Sequence, residues 1–333
     1  SRGLGDVYKR QDMANESKTV SEKKEQKSGA AIKKLIPFLG LIGLFIIFAA
    51  TTNGKFLTAT NLTNIISQAC VTMIASIGCC FVMAHDNLDF SLGGACALCA
   101  VAAVVVGNLV SVWLVFPICI LVGALCGFFT GILHVKAKIP AFMAGMCIMF
   151  IGRGVAQGTY QILPMRIPAS LKTFQELWFY LIVLVVVFVV CYIIFEYTKI
   201  GKYNKLIGSN PKCAQLSGIK VNKYKVIAFV ISGICVGIAA FVTVIRGGGA
   251  GAQTGNSLET NVLLALTLGG IPLAGGSGTK MRSALIGGLT LFILNNGLTL
   301  WGIDPTLIYV VKGIVFLAVV FVSIGHDKSK VMV

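Results

Sequence analysis

Eight polar or charged side chains lie inside long apolar runs or at their edges, and their types could serve the passage of a polar solute. They are Asp89, Ser91, Arg153, Gln157, Glu259, Asn295, Asn296 and Lys312. An ionised side chain at the centre of a membrane helix costs about 2.5 to 3.5 kcal/mol, so such residues usually face the protein interior or a water-filled path. Hydroxyl and amide groups are compatible with a neutral polyhydroxyl molecule. We therefore treat the eight as candidate residues of a substrate path.

Several of these residues also have a purely structural interpretation. Asp89 and Ser91 stand where a helix is expected to begin, and either is suited to cap it. Lys312 lies roughly 9 Å inside the last apolar run at helical rise, and its amine can snorkel to the interface. Asn295 and Asn296 are neighbours, and such amides often hydrogen-bond adjacent helices rather than a ligand. Both interpretations stay open for these positions.

The sequence lacks the motifs of nucleotide binding and of common enzymes. A phosphate loop ends in Gly-Lys followed by Ser or Thr, whereas Lys280 is preceded by Thr279 and followed by Met281. The histidines are far apart, and no nucleophile elbow or His-Glu-x-x-His pattern occurs. Cys96 and Cys99 form a CxxC without a second ligand pair, which favours packing over zinc or redox use. We expect neither an enzyme nor a metal or cofactor site.

Composition places the chain in the membrane. Of its 333 residues, 56% are hydrophobic and only 12% are charged, whereas about a quarter are charged in soluble domains. The net charge of +16 does not indicate nucleic acid, because the basic residues form short clusters between apolar runs rather than one polar face. The chain is expected to be an integral membrane protein surrounded by a lipid bilayer.

The longest polar interruption of the apolar sequence is the segment 198–225, called the basic loop below. It contains seven lysines and no acidic residue, and positively charged loops stay in the cytoplasm. Within it, Asn210 is suited to cap a helix, Pro211 to its first position and Gly218 to the left-handed residue that ends it. This helix is about 10 Å long, too short to cross a membrane. It either joins two spans or presses into a partner.

About 20 apolar residues cross a bilayer core of roughly 30 Å, and on this basis we predict an all-α membrane protein with about ten transmembrane helices. Their centres lie near Leu44, Met73, Val101, Leu121, Met146, Val186, Val236, Leu266, Leu291 and Leu317. Lysine and arginine concentrate in the even-numbered connections, which the positive-inside rule assigns to the cytoplasm. Both termini are then expected to be cytoplasmic.

The ends of the chain differ from its apolar body. Residues 1–12 are interpreted as a sequencing-adapter scar, because residues 1–11 resemble a translated library adapter, and Met13 is the expected start. Residues 13–34 predict a disordered basic cytoplasmic tail. Residues 35–325 form the predicted transmembrane domain, which contains the basic loop, and residues 326–333 form a predicted cytoplasmic tail.

Several short motifs occur in a fixed order along the chain. The basic loop contributes Gly208, Asn210, Ala214, Ser217, Gly218 and Ile219. Around it stand Leu88-Asp89-Phe90-Ser91-Leu92-Gly93, Leu268-Gly269-Gly270, the glycine-rich stretch 273–279, Leu294-Asn295-Asn296-Gly297-Leu298 and Val311-Lys312-Gly313. In order and spacing this set resembles the sugar-type ABC transporter permeases, which are the ribose, xylose and galactose importers of the branched-chain/sugar permease superfamily. The resemblance covers residues 60–325.

This resemblance implies a permease subunit of an ATP-binding-cassette importer in the bacterial inner (plasma) membrane. Its implied partners are a second permease copy or a paralogue, a cytoplasmic ATPase that binds the ATP, and an extracytoplasmic solute-binding protein. The implied ATPase-coupling residues are Gly208, Asn210, Pro211, Ala214, Leu216, Ser217, Gly218 and Ile219. We expect the apolar members of the short helix, Ala214 and Leu216, to be exposed unless a partner covers them.

Two departures from that family pattern affect the substrate. Asn87 stands where a glycine usually precedes the Asp89 motif, and Asn261 stands where the family commonly has Asp. The rival interpretations are a branched-chain amino acid ABC permease and an ion-coupled secondary transporter without an ATPase. Midspan acid or histidine relays would favour the latter, and the sequence offers few.

Overall fold

The computed structural model describes residues 37–163, 165–167, 169–272 and 275–324, and within them the chain is helical without a β-sheet. The helices are α1 (Pro37–Thr51), α2 (Ala59–Met83), α3 (Leu92–Leu109), α4 (Val115–Lys136), α5 (Ala141–Ile162), α6 (Leu177–Tyr192), α7 (Lys199–Ser209), α8 (Pro211–Leu216), α9 (Val221–Gly247), α10 (Leu258–Leu268), α11 (Arg282–Leu300) and α12 (Pro305–Ile324). The predicted segments 1–12, 13–34 and 326–333 lie outside the described residues.

Among the described residues, seven helices are long and apolar enough to cross a membrane: α2, α3, α4, α5, α6 with its π-helical continuation Ile193–Tyr197, α9 and α11. Each of the ten predicted centres falls within an apolar helix, but α1, α10 and α12 count among the shorter ones. The clearest correction concerns the span predicted near Leu266. Helix α10 has 11 residues, and at 1.5 Å per residue it covers about half of the hydrocarbon thickness.

The bundle is built around α2 and α9, and glycines allow helices to pack at very short range. On α4, Gly123 faces Gly233 of α9, where a Cβ on either residue would clash with the carbonyl oxygen of the other. One turn later, a Cβ on Gly127 would clash with the backbone oxygen of Phe229. Close backbone approach through small residues is a common way to hold helices together in lipid. Nine of the eleven cysteines are buried, which fits their predicted packing role.

Two non-helical stretches interrupt the bundle and meet inside it. One is 84–91, between α2 and α3, called the α2–α3 linker below; the other is 248–257, between α9 and α10. They meet where a Cβ on Gly255 would clash with the backbone oxygen of Gly93. Irregular backbone within a membrane protein is tolerated where protein surrounds it or where it lines a cavity. Polar side chains gather at this junction.

Candidate functional site

Arg153 of α5 and Glu259 of α10 form an ion pair at the junction. Arg153 Nη2 donates to Glu259 Oε1 at 3.0 Å and to Oε2 at 3.3 Å. The guanidinium also donates to Asn256 Oδ1 at 3.0 Å and to the backbone oxygen of Gly255 at 3.4 Å. The sequence singled out both charged residues but not their contact, which joins positions 106 residues apart.

The two members of the ion pair differ in their exposure to solvent. The Glu259 side chain is 11% exposed and the Arg153 side chain 32% exposed. Behind the carboxylate lies Gly93 in the first turn of α3, where a Cβ would clash with Glu259 Oε2. Glu259 itself lies in the first turn of α10, where a negative charge is favourable to the helix dipole. The guanidinium therefore remains accessible to a polar solute while its partner is fixed.

Gln157 extends this polar surface along α5. It lies one helical turn beyond Arg153 and is exposed, as residues four apart share a helix face. Gly154 and Gly158 on the same helix have open space where a Cβ would stand. This face of α5 is thus polar and uncovered by the described part of the chain, although α5 is apolar enough to span a membrane.

Asp89 and Ser91 lie in the α2–α3 linker and bond to each other. Asp89 Oδ1 accepts from the backbone nitrogen of Ser91 at 2.9 Å and from Ser91 Oγ at 2.6 Å. Its other oxygen accepts from Ser232 Oγ of α9 at 3.1 Å. All three residues are buried, and burial raises the pKa of Asp89 while these hydrogen bonds oppose the rise. Ser91 precedes α3, but its side chain does not cap that helix.

The first half of the linker forms a second polar cluster that sequence analysis missed. Asn87 Nδ2 donates to His85 Nδ1 at 2.7 Å, which leaves the ring proton of the neutral histidine on Nε2. Burial, together with the nearby positive charge of Lys225, lowers the pKa of His85 to about 3. Burial raises the pKa of Asp86, and Lys225 opposes that rise. The histidines seemed unrelated because the sequence separates them, yet the rings of His85 and His134 both lie near Phe229.

The asparagine pair on α11 is divided between two environments. Asn296 exchanges hydrogen bonds with Asn61 of α2, at 2.8 and 2.9 Å, and so ties α11 to α2. Asn295 Oδ1 is buried without a partner among the described residues. Neither residue contacts the ion pair through a hydrogen bond, and only Asn295 retains a free acceptor. The Asn296 contact agrees with the interpretation that this amide hydrogen-bonds an adjacent helix rather than a ligand.

The helix in the basic loop forms with the predicted ends. Asn210 Oδ1 accepts from the backbone nitrogen of Cys213 at 3.1 Å, and Pro211 occupies the first position of α8. Gly218 has φ of 79°, a left-handed conformation that favours glycine. The nitrogen of Ile219 then bonds the oxygen of Ala214 at 3.1 Å, as in a Schellman end. The local capping chemistry was therefore readable from sequence.

The exposure of the predicted coupling residues differs from expectation at Ala214. Ala214 is only 5% exposed, whereas Leu216 is 88% exposed. Ala214 thus packs within its own chain, and the expectation that both are free for a partner is wrong for Ala214. Gly208 lies in α7 and packs against Ala84, whose backbone oxygen would clash with a Cβ at this glycine. Ser217 is exposed and bonds the oxygen of Cys213 at 2.9 Å.

Comparison with known proteins identifies the family to which this bundle belongs. The model of the family described as "Branched-chain amino acid transport system / permease component" matches residues 61–320. The chain belongs to this family.

Individual relatives match almost from end to end. The ribose import permease protein RbsC of Escherichia coli (strain K12) is 32% identical over 302 residues, which are 87% of this chain and 92% of the relative. RbsC of Bacillus subtilis (strain 168) is 31% identical, covering 91% of this chain and 96% of the relative. The autoinducer 2 import system permease protein LsrC of Enterobacter sp. (strain 638) is 29% identical, covering 86% and 85%. No solved structure matches the chain.

In this permease, both departures from the sequence pattern have a structural consequence. Asn87 bonds the ring of His85, and the left-handed residue of the linker is Asp86, with φ of 61°. Asn261 Oδ1 accepts from Lys312 Nζ at 3.1 Å and so joins α10 to α12. An aspartate there would form an ion pair with the lysine, whereas the amide offers a neutral acceptor. Lys312 is therefore engaged with the chain itself rather than directed towards the ion pair.

Proposed function

We propose that the chain is the membrane-spanning subunit of an ABC importer that moves a monosaccharide-like solute into a bacterial cell. The observation that carries this proposal is the similarity to ribose import permeases over nearly their whole length. The match covers 92% of the Escherichia coli protein. The bundle of span-length helices and the exposed apolar side chain on the basic loop agree with it. ATP is hydrolysed by a separate subunit, and this chain supplies the path.

Three partners follow from this function. A cytoplasmic ATPase docks on α8, where Leu216 is 88% exposed. A second copy of the permease, or a paralogue, pairs with this one, because the polar face of α5 at Gln157 and Arg153 is unsuited to lipid. An extracytoplasmic binding protein delivers the solute to the opposite side. The protein thus lies in the plasma membrane as a multi-pass subunit.

The substrate path in this proposal runs past the ion pair. Arg153 presents N–H donors to the open side, and Gln157 adds an amide one turn away. A neutral polyhydroxyl solute can exchange hydrogen bonds with both without supplying a counter-charge. Asp89 and Glu259 are held by other side chains of the permease and act through position rather than by direct contact with solute.

The proposed topology has ten membrane-inserted helices, with both termini and the basic loop in the cytoplasm. Helix α10 crosses the membrane together with the non-helical stretch 248–257 that precedes it. We expect a single reporter cysteine at exposed Ser209, in a cysteine-depleted background, to resist an impermeant thiol reagent in intact cells and to react after permeabilisation. Labelling of Ser209→Cys from outside intact cells would overturn this topology.

Substrate class is tested by uptake into vesicles that contain the permease, its ATPase and its binding protein. We expect labelled ribose, xylose or fructose to accumulate, and we expect an excess of unlabelled leucine to leave that uptake unchanged. Accumulation of leucine with no sugar uptake would instead favour a branched-chain amino acid permease.

A further inference from the structure

We propose that the α2–α3 linker transmits movement of the basic loop to the ion pair, and that Asp89 is the positioning residue that holds the linker in place. This inference rests on the proposed function, since it concerns how that transporter couples its two ends. It is carried by contacts at two points of the linker and at a third in the first turn of α3, which follows the linker directly. Energetic coupling between distant sites travels through such packed and hydrogen-bonded chains when they have two arrangements.

The first contact joins the linker to the basic loop. The backbone oxygen of Ala84 accepts from the nitrogen of Gly276 at 2.9 Å, and Gly208 of α7 packs against the same oxygen. Asn210 both ends α7 and caps α8. Because one residue serves both helices, a displacement of α8 passes to α7 without an intervening flexible segment.

The second contact fixes the middle of the linker to the core. The carboxylate of Asp89 takes three hydrogen bonds, from the nitrogen and hydroxyl of Ser91 and from the hydroxyl of Ser232. Ser232 lies on α9, the helix that follows the basic loop directly. All of these groups are buried, so the carboxylate is the link that makes the linker follow α9.

The third contact places the end of the linker against the ion pair. Helix α3 begins directly after Ser91, and Gly93 lies in its first turn. A Cβ at Gly93 would clash with Glu259 Oε2 and with the backbone oxygen of Gly255. A shift of this turn by about one methyl radius would therefore displace the Glu259 carboxylate, because packed interiors have few voids. The linker thus contacts the basic loop at its first residue and leads at its other end into the turn of α3 that contacts the ion pair.

The test follows the exposed face of α5 while nucleotide is added to the assembled transporter. A cysteine is placed by Gln157→Cys in a cysteine-depleted permease, and its reaction with a thiol reagent is timed in the detergent-solubilised complex with the ATPase, where reagent and nucleotide reach both faces of the bundle. We expect a non-hydrolysable ATP analogue to change the labelling rate severalfold. In a permease that also carries Asp89→Asn, we expect the ATPase to stay bound and the labelling rate to become independent of the analogue.

Matched serine variants separate transmission from folding. Ser232→Ala removes one donor to Asp89 and is expected to reduce the response partly, whereas Ser76→Ala removes a buried hydroxyl that has no partner among the described residues and is expected to leave it unchanged. If Asp89→Asn prevents the permease from inserting into the membrane, Ser232→Ala alone carries the test. If the labelling rate still responds fully to the ATP analogue in the Asp89→Asn or the Ser232→Ala variant, the proposal is wrong. If the ATPase does not bind the parent permease, or labelling there ignores nucleotide, the proposed function fails first and the transmission proposal with it.

Discussion

Leu216→Glu is expected to weaken docking of the ATPase at least roughly tenfold, since 1.4 kcal/mol corresponds to one decade of affinity. Leu216 is 88% exposed on a helix whose caps are complete, so folding of this chain does not require a leucine there. Burial of a leucine side chain in a partner groove contributes about 1.5 to 3 kcal/mol. A glutamate loses that contribution and also brings an unpaired charge into the groove. Uptake should fall with docking.

The measurement is co-purification of the ATPase with each permease variant, together with ATP-driven uptake in vesicles. Lys202→Glu on the exposed surface of α7 is the control, because a solvated surface charge is worth less than about 1 kcal/mol. We expect the Leu216 variant to insert and pair normally. Full ATPase binding and uptake by this variant would make the basic loop a mere connector.

Glu259→Gln is expected to lower uptake by at least roughly tenfold, or about 1.4 kcal/mol of barrier. The change removes the charge partner of Arg153, which holds the carboxylate at 3.0 Å. Breaking a buried pair costs about 3 to 5 kcal/mol, and the 32% exposure of Arg153 favours the low end. Some of that cost is expected as a lower thermal stability in detergent.

The double variant Arg153→Gln with Glu259→Gln separates the path from packing. Neutral amides at both positions leave no unpaired charge, so we expect stability to recover while uptake stays low. Glu176→Gln, an exposed carboxylate that precedes α6, is the matched control and should behave as the parent does. Recovery of uptake in the double variant would show that the pair only packs the bundle.

Local features of this fold were predictable because the groups that form them are neighbours in sequence. The ends of α8 depend on Asn210, Pro211 and Gly218, which lie within one short segment, and all three behave as predicted. The ten apolar centres follow from hydropathy alone. The length of α10 does not follow from hydropathy, because an apolar run does not reveal where the backbone stops being helical. The start of α10 depends on the contact between Gly255 and Gly93.

The site required contacts that no local pattern contains. The polar residues could be selected by the cost of placing them in a membrane, but their partners could not. Ser232 lies 143 residues from Asp89, and Asn61 lies 235 residues from Asn296. Ala214 illustrates the same limit, because a helix of six residues gives no periodicity from which its buried face could be assigned.

The energy source of transport tests the central claim most directly. Vesicles with the permease, the ATPase and the binding protein are loaded with ATP, or with ADP under an imposed proton or sodium gradient, and uptake of labelled ribose is followed. We expect ribose to accumulate with ATP and not with ADP, whether or not an ion gradient is imposed. Accumulation driven by an ion gradient without ATP, or by the permease without its ATPase, would contradict this expectation and identify an ion-coupled transporter.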